Sequence, residues 1–440
     1  MAGQEQELEI WQGDTPIRVG TLQLSGRGGR LHSVFQYAPE WLQHPERFAL
    51  APSMPLHADR FFYRAQAGVA HASALPPPLA DTVPDQWGRR LMEKAHRHSH
   101  GSPLHEFDYF LGVDDGSRLG ALRVRDPDTG TFLASAPEGT QRIPPVLAIG
   151  ELVADIHRIE RNQASHSVLE QIIRGGSSLG GARPKCTVLE EDGSLALAKF
   201  TSVHDNRPIE KAEVLTLQLA ARCGIRTPPA RLVRCADFPV AIIHRFDRGP
   251  TGRKHYLSAQ SFLDLPTAEG GTYVEFCERL RECSGAAIQE CTELFRRVSF
   301  TILVSNTDDH LRNHGLLYQR ENGWILSPVF DVNPSPYRER VLKTAIADPA
   351  EPEASISLLL DHAPFFGLAH EEAIQIVHDQ AMTISQHWRQ LAKACGLTRA
   401  EIDDYAQAFE HSQMQEALAL GKPAVPVPGT SSKARKPRKP

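Results

Sequence analysis

A cluster of carboxylate, carboxamide and imidazole side chains follows an apolar segment in the second half of the chain. The segment "FTILV" ends at Val304, and "SNTDDHLRNHG" follows directly, at residues 305–315. Side chains of these types lose much solvation free energy on burial, so they stay together only where water or a charged ligand satisfies them. The cluster therefore predicts either a solvated turn or a site that holds something charged.

Two side chains of this cluster have the spacing that phosphoryl transfer uses. Asp308 and Asn313 are five residues apart, as are the Asp and Asn of the H-R-D-x-x-x-x-N loop of protein kinases. A carboxylate must accept the proton of the attacking hydroxyl, and a carboxamide one short loop later can turn back towards Mg²⁺ on the phosphates. Farther along, Asp331 in "VFDVNP" can provide an anionic metal ligand. This order predicts a phosphotransferase.

A glycine-rich segment, "GGSSLGGARPK" at residues 175–185, lies between a predicted helix and a predicted strand. Its glycines leave backbone N–H groups free to point at an anion, and Lys185 adds a cation. The segment lacks the G-x-x-x-x-G-K-[ST] pattern, which excludes the P-loop of that NTPase class. It indicates a phosphate-binding loop, with a flexible polar turn as the alternative.

A lysine in the next predicted strand is the second cation of the expected site. Lys199 lies in "LALAKF", where alternating apolar residues predict a strand with one buried face. A buried lysine needs a partner, and Glu213 on the following predicted helix can provide it. Protein kinases use such a pair to hold nucleotide phosphates. An exposed lysine on an edge strand is the alternative.

A competing hypothesis makes the same cluster a metal-dependent hydrolase. Its ligands would be Asp308, Asp309, His310 and His314. That hypothesis leaves the glycine-rich loop and Lys199 without a function, whereas a phosphotransferase uses all of these features. We therefore favour the phosphotransferase.

The elements that position these residues follow from hydrophobic periodicity. Period-two alternation predicts hairpins at "LEIWQGDTPIRVGTLQLS", "CTVLEEDGSLALAKF" and "HGLLYQRENGWILSPVFD". Helical periodicity predicts a helix at "IEKAEVLTLQLAARCGI" and mostly helices in the last third of the chain. The expected fold class is α+β. We expect a small mixed domain at 1–125, a nucleotide-binding part at 126–250, a helical catalytic lobe at 251–420 and a disordered basic tail at 421–440.

Composition excludes several classes of function. The 440 residues are 41% hydrophobic and 23% charged, as in ordinary globular proteins. A formal net charge of -5 argues against a broad basic face for nucleic acid. No apolar run reaches the length of a membrane span, and the chain does not start with a signal-peptide pattern. Seven cysteines without a C-x-x-C pair indicate reduced thiols. We expect a cytoplasmic protein with no membrane contact.

Several segments together resemble the HipA-like serine/threonine kinases, the toxin components of bacterial toxin–antitoxin pairs. These segments occur in one order with matching intervals: "SSLGGARPK", "AKF", "HRFDR", "NTDDHLRN" and "SPVFDVNP". The resemblance covers the chain up to about residue 420. It implies a two-lobed protein-kinase-like fold with a mixed N-terminal lobe and a mainly helical C-terminal lobe.

By position, the resemblance also implies the role of each site residue, with ATP and Mg²⁺ as the bound groups. Asp308 matches the catalytic base, Asn313 and Asp331 match the Mg²⁺ ligands, and Lys199 matches the lysine on the nucleotide phosphates. Ser178 matches a serine that such kinases autophosphorylate. The other implied nucleotide contacts are Gly180, Gly181, Ala182, Arg183, Pro184 and Lys185 in the phosphate loop, His244, Arg245 and Phe246 at the adenine hinge, and His310.

The resemblance implies a protein substrate, which in well-known members is an aminoacyl-tRNA synthetase. It also implies a small helix-turn-helix antitoxin, through which the chain would meet DNA indirectly. Asp309 replaces a glycine of the family and Arg312 a lysine, and the loop "GGARPK" also departs from the pattern, so the substrate stays open. Two alternatives remain: a phosphotransferase acting on a small-molecule hydroxyl, and a catalytically silent co-repressor subunit of a DNA-binding partner.

Overall fold

The structure, a computed structural model, describes residues 5–26, 30–65, 73–97, 103–135, 143–174, 181–235, 238–337, 340–348, 350 and 352–421. Two predicted site residues, Gly180 and Ser178, lie outside the described residues, as does the predicted basic tail after Gly421. No helix within the described residues combines the length and the apolar character that crossing a bilayer requires.

The N-terminal part is built on an antiparallel sheet with the strand order β4-β3-β2-β1-β5. Its elements are β1 (Gln6–Gln12), β2 (Ile17–Ser25), β3 (His32–Tyr37), α1 (Pro39–Gln43), β4 (Phe61–Arg64), α2 (Pro77–Ala80), α3 (Gln86–Arg97), α4 (Glu106–Leu111) and β5 (Leu122–Arg125). The predicted first hairpin is confirmed, because β1 and β2 pair around a turn in which Gly13 takes a φ of 84°. Alternating residues such as Leu8 and Ile10 face the core.

A second antiparallel sheet, with the order β6-β7-β9-β8, carries the predicted lysine strand. Its elements are α5 (Ile149–Glu160), α6 (His166–Arg174), β6 (Lys185–Leu189), β7 (Leu195–Phe200), α7 (Ile209–Arg222), β8 (Ala230–Cys235) and β9 (Phe238–His244). Helices α3, α5 and α6 cover one face, where Ala196 and Ala198 pack. The other face, with Ile243, packs against α7. Both faces of the sheet are therefore covered.

The remaining part is mainly helical and confirms the prediction for the last third of the chain. Its elements are β10 (Arg248–Gly249), β11 (Gly252–Arg253), β12 (Tyr256–Ser258), α8 (Ala259–Phe262), α9 (Tyr273–Cys283), α10 (Ala287–Leu303), β13 (Gly315–Gln319), β14 (Gly323–Leu326), α11 (Ile356–Asp361), α12 (His370–Ala394), α13 (Arg399–Phe409) and α14 (Ser412–Ala419). Strands β13 and β14 form the predicted hairpin. The long helix α12 packs against α7 and α10 and joins the two lobes.

The polar cluster of the sequence lies between α10 and β13. Helix α10 ends at Leu303, and Ser305 takes a φ of 55°, which turns the chain out of the helix. A short 3-10 turn, Leu311–Asn313, then leads into β13. The apolar helix thus anchors one end of the cluster and a paired strand anchors the other, which fixes a loop made of polar residues.

Candidate active site

Lys199 joins the two lobes at the centre of the candidate site. Its Nζ lies 2.5 Å from Oε1 of Glu213 on α7 and 2.9 Å from Oδ1 of Asp331 in the other lobe. The predicted pair with Glu213 is confirmed. The edge-strand alternative is wrong, because β7 lies between β6 and β9 and Lys199 is only 8% exposed. Burial lowers the pKa of Lys199, but Asp331 and Glu213 raise it more, so the ammonium group stays charged.

Asp331 faces this lysine from a strained position of the backbone. Its φ of 57° lies in the left-handed region, which non-glycine residues seldom adopt. Its Oδ1 also accepts a hydrogen bond from Nδ2 of Asn333, at 3.2 Å. Burial acts to raise the pKa of Asp331, but Lys199 and Lys185 lower it below the usual range for a carboxyl group. Asp331 is therefore an ionised carboxylate at the meeting point of the lobes, as a metal ligand must be.

Asp308 and Asn313 face the same cleft from the loop after α10. Asn313 donates from Nδ2 to the backbone oxygen of Asp308, at 3.1 Å, so its Oδ1 stays available as a ligand. Asp308 is exposed, and its carboxylate accepts no hydrogen bond from a described residue. Loss of solvation raises the pKa of Asp308; His310 partly offsets this, and Asp331 adds to it. An accessible carboxyl group with a raised pKa has the properties of a general base.

Asp309 points away from the cleft and holds the loop from within. It is buried, and its Oδ2 accepts hydrogen bonds from the Tyr273 hydroxyl at 2.6 Å and from Thr301 Oγ1 at 3.1 Å. His314 Nε2 lies 3.1 Å from the same oxygen. Burial acts to raise the pKa of Asp309, but His314 and these hydrogen bonds lower it further than burial raises it.

This arrangement argues against the alternative of a hydrolase site. Asp309 and His314 bind each other inside the lobe, whereas Asp308 faces the cleft, so these side chains do not converge on one ion. Within the described ranges, no group of three or more His, Cys, Asp and Glu side chains is placed to hold a metal. A cation would instead need the mixed ligand set of Asp331 and Asn313.

The described end of the predicted phosphate loop lies close to Lys185 and Asp331. Lys185 is directly opposite Lys199 in the pairing of β6 with β7. Gly181 has a φ of 97°, and a Cβ atom there would lie 3.0 Å from Lys185 Nζ and 3.8 Å from Asp331 Oδ2. The positive φ favours glycine at this position, which brings the backbone close to both groups. Between them, Ala182 is exposed and Pro184 is buried.

Arg183 binds inside the N-terminal lobe. Its guanidinium pairs with Asp205, with Nη1 2.8 Å from Oδ1, and with Glu210 Oε1 at 2.9 Å. Burial lowers the pKa of Arg183, but the two carboxylates raise it above its usual range. These ion pairs anchor the loop to the start of α7, and the contact of residue 183 with nucleotide stays a prediction.

The side chains of the three residues of the predicted adenine hinge lie in different surroundings, and their contact with adenine stays a prediction. His244 pairs with Ala196, which places its side chain on the sheet face opposite Lys199, in a cavity of about 520 Å³. Arg245 is buried, with Nη2 2.6 Å from Asp247 Oδ2, so its side chain is used in an ion pair. Phe246 is different: its ring lies 5.5 Å from that of Phe330, which directly precedes Asp331.

Sequence reasoning missed Asp85, whose Oδ2 lies 2.8 Å from Lys185 Nζ. Asp85 precedes α3, and its Oδ1 accepts a hydrogen bond from Gly88 N at 2.8 Å, as a helix-capping residue does. The sequence "PDQW" carries that capping signal, but nothing in it links the residue to a lysine 100 positions later.

Three polar atoms of the segments that carry Asp308 and Asp331 are buried without hydrogen-bond partners among the described residues. They are His310 Nδ1, Asn306 Nδ2 and Asn333 Oδ1. Such atoms are costly unless a ligand or water satisfies them. Lys199, Asp331 and Asn313, with Gly181 close to Lys185, are of the types that hold a nucleotide and its metal ion in kinases.

The fold and this site define a two-lobed, kinase-like α+β protein. Family models agree over most of the chain: the HipA N-terminal domain matches residues 8–124, and the HipA-like C-terminal domain matches residues 177–417, more than half of the chain. The chain belongs to the HipA-like family.

Individual relatives are more distant. The chain is 24% identical over 324 residues to Y4mE of Sinorhizobium fredii, a protein provisionally named as a kinase; the match covers 68% of this chain and 71% of Y4mE. A provisionally named kinase of Haemophilus influenzae is 24% identical over 198 residues, which span 40% of this chain and 57% of that protein.

Among solved structures, HipA of Shewanella oneidensis MR-1, in a complex with HipB and operator DNA, superimposes with a TM-score of 0.63. The two chains are 17% identical, and the match covers 94% of this chain and 96% of that one. This likeness shows the shared fold.

Proposed function

We propose that the chain is an ATP- and Mg²⁺-dependent serine/threonine protein kinase of the HipA type, which phosphorylates a protein and itself. The position of Lys199 between Glu213 and Asp331 supports the proposal most directly. It combines a charged lysine, the helix glutamate that orients it and an ionised carboxylate from the other lobe. Kinases use such a set to hold nucleotide phosphates and their metal.

In the proposed reaction, Asp308 removes the proton from the acceptor hydroxyl as its oxygen attacks the γ-phosphorus. A new O–P bond forms, the bond from the γ-phosphorus to the bridging oxygen breaks, and ADP leaves. Asp331 and Asn313 would hold Mg²⁺, which offsets negative charge on the phosphates. Lys199 orients the phosphates, and Gly181 brings loop N–H groups close to them.

The balance of lysine and carboxylate charges in the cleft supports the need for a metal ion. Lys185 and Lys199 are surrounded by Asp85, Glu213 and Asp331, so the carboxyl groups outnumber the lysines. A polyphosphate entering this cleft would meet nearly neutral or negative surroundings. A divalent cation removes that repulsion, so binding of ATP should be far weaker without Mg²⁺.

The adenine would bind against the aromatic surface of Phe246 and Phe330, which adjoins Asp331. Leu197 lies on the same sheet face as Lys199, two residues away, and is half-buried, so it can cover the other side of the base. Aromatic and aliphatic side chains of this kind provide the apolar contacts that a planar base requires.

An antitoxin partner is part of the proposal. Shewanella HipA, which has the same fold, was solved in a complex with HipB and operator DNA. We infer that a comparable helix-turn-helix protein binds this chain and provides the contact with DNA. The acceptor would be a cytosolic protein, by family resemblance an aminoacyl-tRNA synthetase. Since ATP is a cytoplasmic metabolite, the proposal places the reaction in the cytoplasm.

Growth arrest distinguishes the kinase from the silent co-repressor. Expression of the wild-type chain should arrest growth, and Asp308→Asn should remove the arrest together with phosphorylation of host proteins. An Asp308→Asn protein that is inactive and equally toxic would support the co-repressor. Labelled phosphate that reaches only small molecules in a host extract would support the small-molecule phosphotransferase.

A further inference from the structure

We propose that Asp85 and Trp87, in the N-terminal domain, are positioning residues for the phosphate loop of the kinase core. The N-terminal domain would then contribute to the nucleotide site. Its contacts with the loop would set the affinity for ATP. This inference rests on the proposed function, because it assigns residues to the same nucleotide site.

Asp85 and Trp87 contact the two ends of the described part of the loop, residues 181 and 185. Asp85 Oδ2 lies 2.8 Å from Lys185 Nζ. The indole Nε1 of Trp87 donates to the backbone oxygen of Lys185 at 3.1 Å, and the backbone N of Trp87 donates to the oxygen of Gly181 at 3.4 Å. Residues 181 and 185 are thus fixed against one turn of the N-terminal domain.

These contacts are shielded from water. Lys185 is 2% exposed, Trp87 5% and Asp85 8%. A hydrogen-bonded ion pair in such surroundings is held firmly, and loss of one partner leaves a buried charge without compensation. The carboxylate is itself fixed, because Gly88 N donates to its other oxygen at 2.8 Å. We call the contacts of Asp85 and Trp87 with residues 181 and 185 the clamp. Because both oxygens of Asp85 are bound, the clamp holds the loop in one position.

The position of Lys185 explains why it needs a partner of its own. It lies directly opposite Lys199, and like charges at opposed positions of two strands repel each other. Asp331 already binds Lys199 at 2.9 Å. With Asp85 in place, Lys185 does not compete for Asp331, and that carboxylate remains available for Lys199 and a metal ion.

The clamp is part of a continuous core. The Trp87 ring packs in an apolar cluster with Ile156 of α5, Leu169 of α6 and Cys186, the residue after Lys185. A shift of α3 would therefore move the loop with it. Loss of the clamp should loosen residues 181–185 and weaken ATP binding, while Asp308 in the other lobe keeps its geometry.

Asp81 provides a matched control for Asp85. It is also a buried aspartate of the N-terminal domain, 8% exposed, and it also binds the rest of the chain: its carboxylate accepts hydrogen bonds from Ser258 N at 2.6 Å and Ser258 Oγ at 2.7 Å. It has no hydrogen bond to residues 181–185 among the described contacts. Asp81→Asn therefore loosens the domain contact without releasing the loop.

The experiment compares steady-state kinetics of Asp85→Asn, Trp87→Phe and Asp81→Asn in the full chain, with ATP varied at saturating Mg²⁺.

We expect Asp85→Asn to raise KM for ATP at least about tenfold, since loss of one charged hydrogen bond exceeds the free energy of a tenfold change. Its kcat should stay within about threefold of wild type, a split that marks lost ground-state binding. Trp87→Phe keeps an aromatic ring but removes the indole N–H, and it should raise KM by a smaller factor. Asp81→Asn should leave KM unchanged.

Trp87→Phe also keeps the test decisive if Asp85→Asn does not fold. Wild-type KM in both Asp85→Asn and Trp87→Phe would overturn the inference, as would a fall in kcat as large as that in kcat/KM. An equal effect of Asp81→Asn would also overturn it, because the effect would then be general destabilisation. A wild-type chain without phosphate transfer would contradict the proposed kinase, and calorimetric titration with Mg²⁺-ATP would still test whether Asp85 controls nucleotide binding.

Discussion

Lys185 and Lys199 lie directly opposite each other on neighbouring antiparallel strands, and each has its own buried carboxylate partner. Asp85 reaches Lys185 from the N-terminal domain, and Glu213 reaches Lys199 from α7. Two like charges at opposed positions would destabilise a sheet unless each is compensated. Gly181 lies close to Lys185 of this compensated pair, where the proposed nucleotide phosphates bind.

The first prediction concerns the ion pair of Lys199 and Glu213. Lys199→Met leaves Glu213 buried without its cation and should lower the free energy of unfolding by about 3–5 kcal/mol at pH 7. Burial already raises the pKa of Glu213. Its protonation at lower pH should therefore reduce the loss. Urea denaturation at several pH values measures this.

The double variant Lys199→Met/Glu213→Leu is the control. It removes both charges and should recover most of the lost stability, because an apolar pair of similar volume can replace a buried ion pair. It should still not bind ATP. A double variant that is as unstable as the sum of the two single variants would contradict the direct pairing.

Sequence reasoning predicted a contact between residues that are close along the chain and missed one between residues that are far apart. Lys199 and Glu213 are 14 residues apart, in a strand and the helix after it, so pattern and chemistry together predicted their contact. Asp85 and Lys185 are 100 residues apart. Their contact depends on how α3 packs against the second sheet, and residue types alone do not specify such packing.

The sequence also does not specify which way each side chain of a loop points. Asp308 and Asp309 are neighbours of the same type, and both were considered as metal ligands. Only the structure separates them, because Tyr273 and Thr301 bind Asp309 from inside the lobe while Asp308 faces the cleft. In the same way, strand alternation places His244 on the sheet face opposite Lys199.

The second prediction concerns the metal ion. Asp331→Ala removes an ionised carboxylate from the cleft and should weaken binding of Mg²⁺-ATP by at least about tenfold, or about 1.4 kcal/mol. Binding of ATP in EDTA should not weaken and should increase, since the substitution removes one of the carboxylates that repel metal-free ATP. Calorimetric titration with and without Mg²⁺ measures both. A variant that keeps the wild-type dependence on Mg²⁺ would show that Asp331 is not a ligand.

The third prediction concerns Asp247, which accepts hydrogen bonds from Arg245, Arg248 and Gly120 N. Burial acts to raise its pKa, but the two arginines lower it far below the usual range. A carboxyl group with a lowered pKa contributes stability above its unfolded-state pKa, about 3.9, and this contribution is lost as the pH falls towards the folded-state pKa. Asp247→Asn should therefore cost about 3–5 kcal/mol at pH 7 and progressively less below about pH 4.

Denaturation of both proteins between pH 3 and pH 7, a range set around the ordinary carboxyl pKa of about 3.9, measures this difference. Asp59→Asn is the control, because the Asp59 side chain is 91% exposed and its loss should have little effect on stability. A difference between wild type and Asp247→Asn that does not change with pH would contradict the role of ionised Asp247.

The fourth prediction concerns Ser178, which the family resemblance assigns as an autophosphorylation site and which lies outside the described residues. A phosphate there adds about -1.5 to -2 charges beside the expected ATP phosphates, so it should oppose nucleotide binding. Protein incubated with Mg²⁺-ATP should carry phosphate on the peptide that spans residues 175–185, and Ser178→Glu should bind ATP poorly. Mass spectrometry that finds no phosphate on this peptide, or equal amounts in Asp308→Asn, would contradict the assignment.

In the proposed reaction, Asp308 is the base of a phosphoryl transfer that needs Mg²⁺ and ATP. Asp308→Asn keeps the size of the side chain but cannot accept a proton, so transfer should fall by at least about a hundredfold while binding of Mg²⁺-ATP stays close to wild type. The direct measurement is transfer of γ-labelled phosphate to the chain and to host proteins, beside a binding titration of the same samples. Transfer by wild type that disappears in EDTA and in Asp308→Asn is the predicted result, and wild-type turnover by Asp308→Asn would contradict the account.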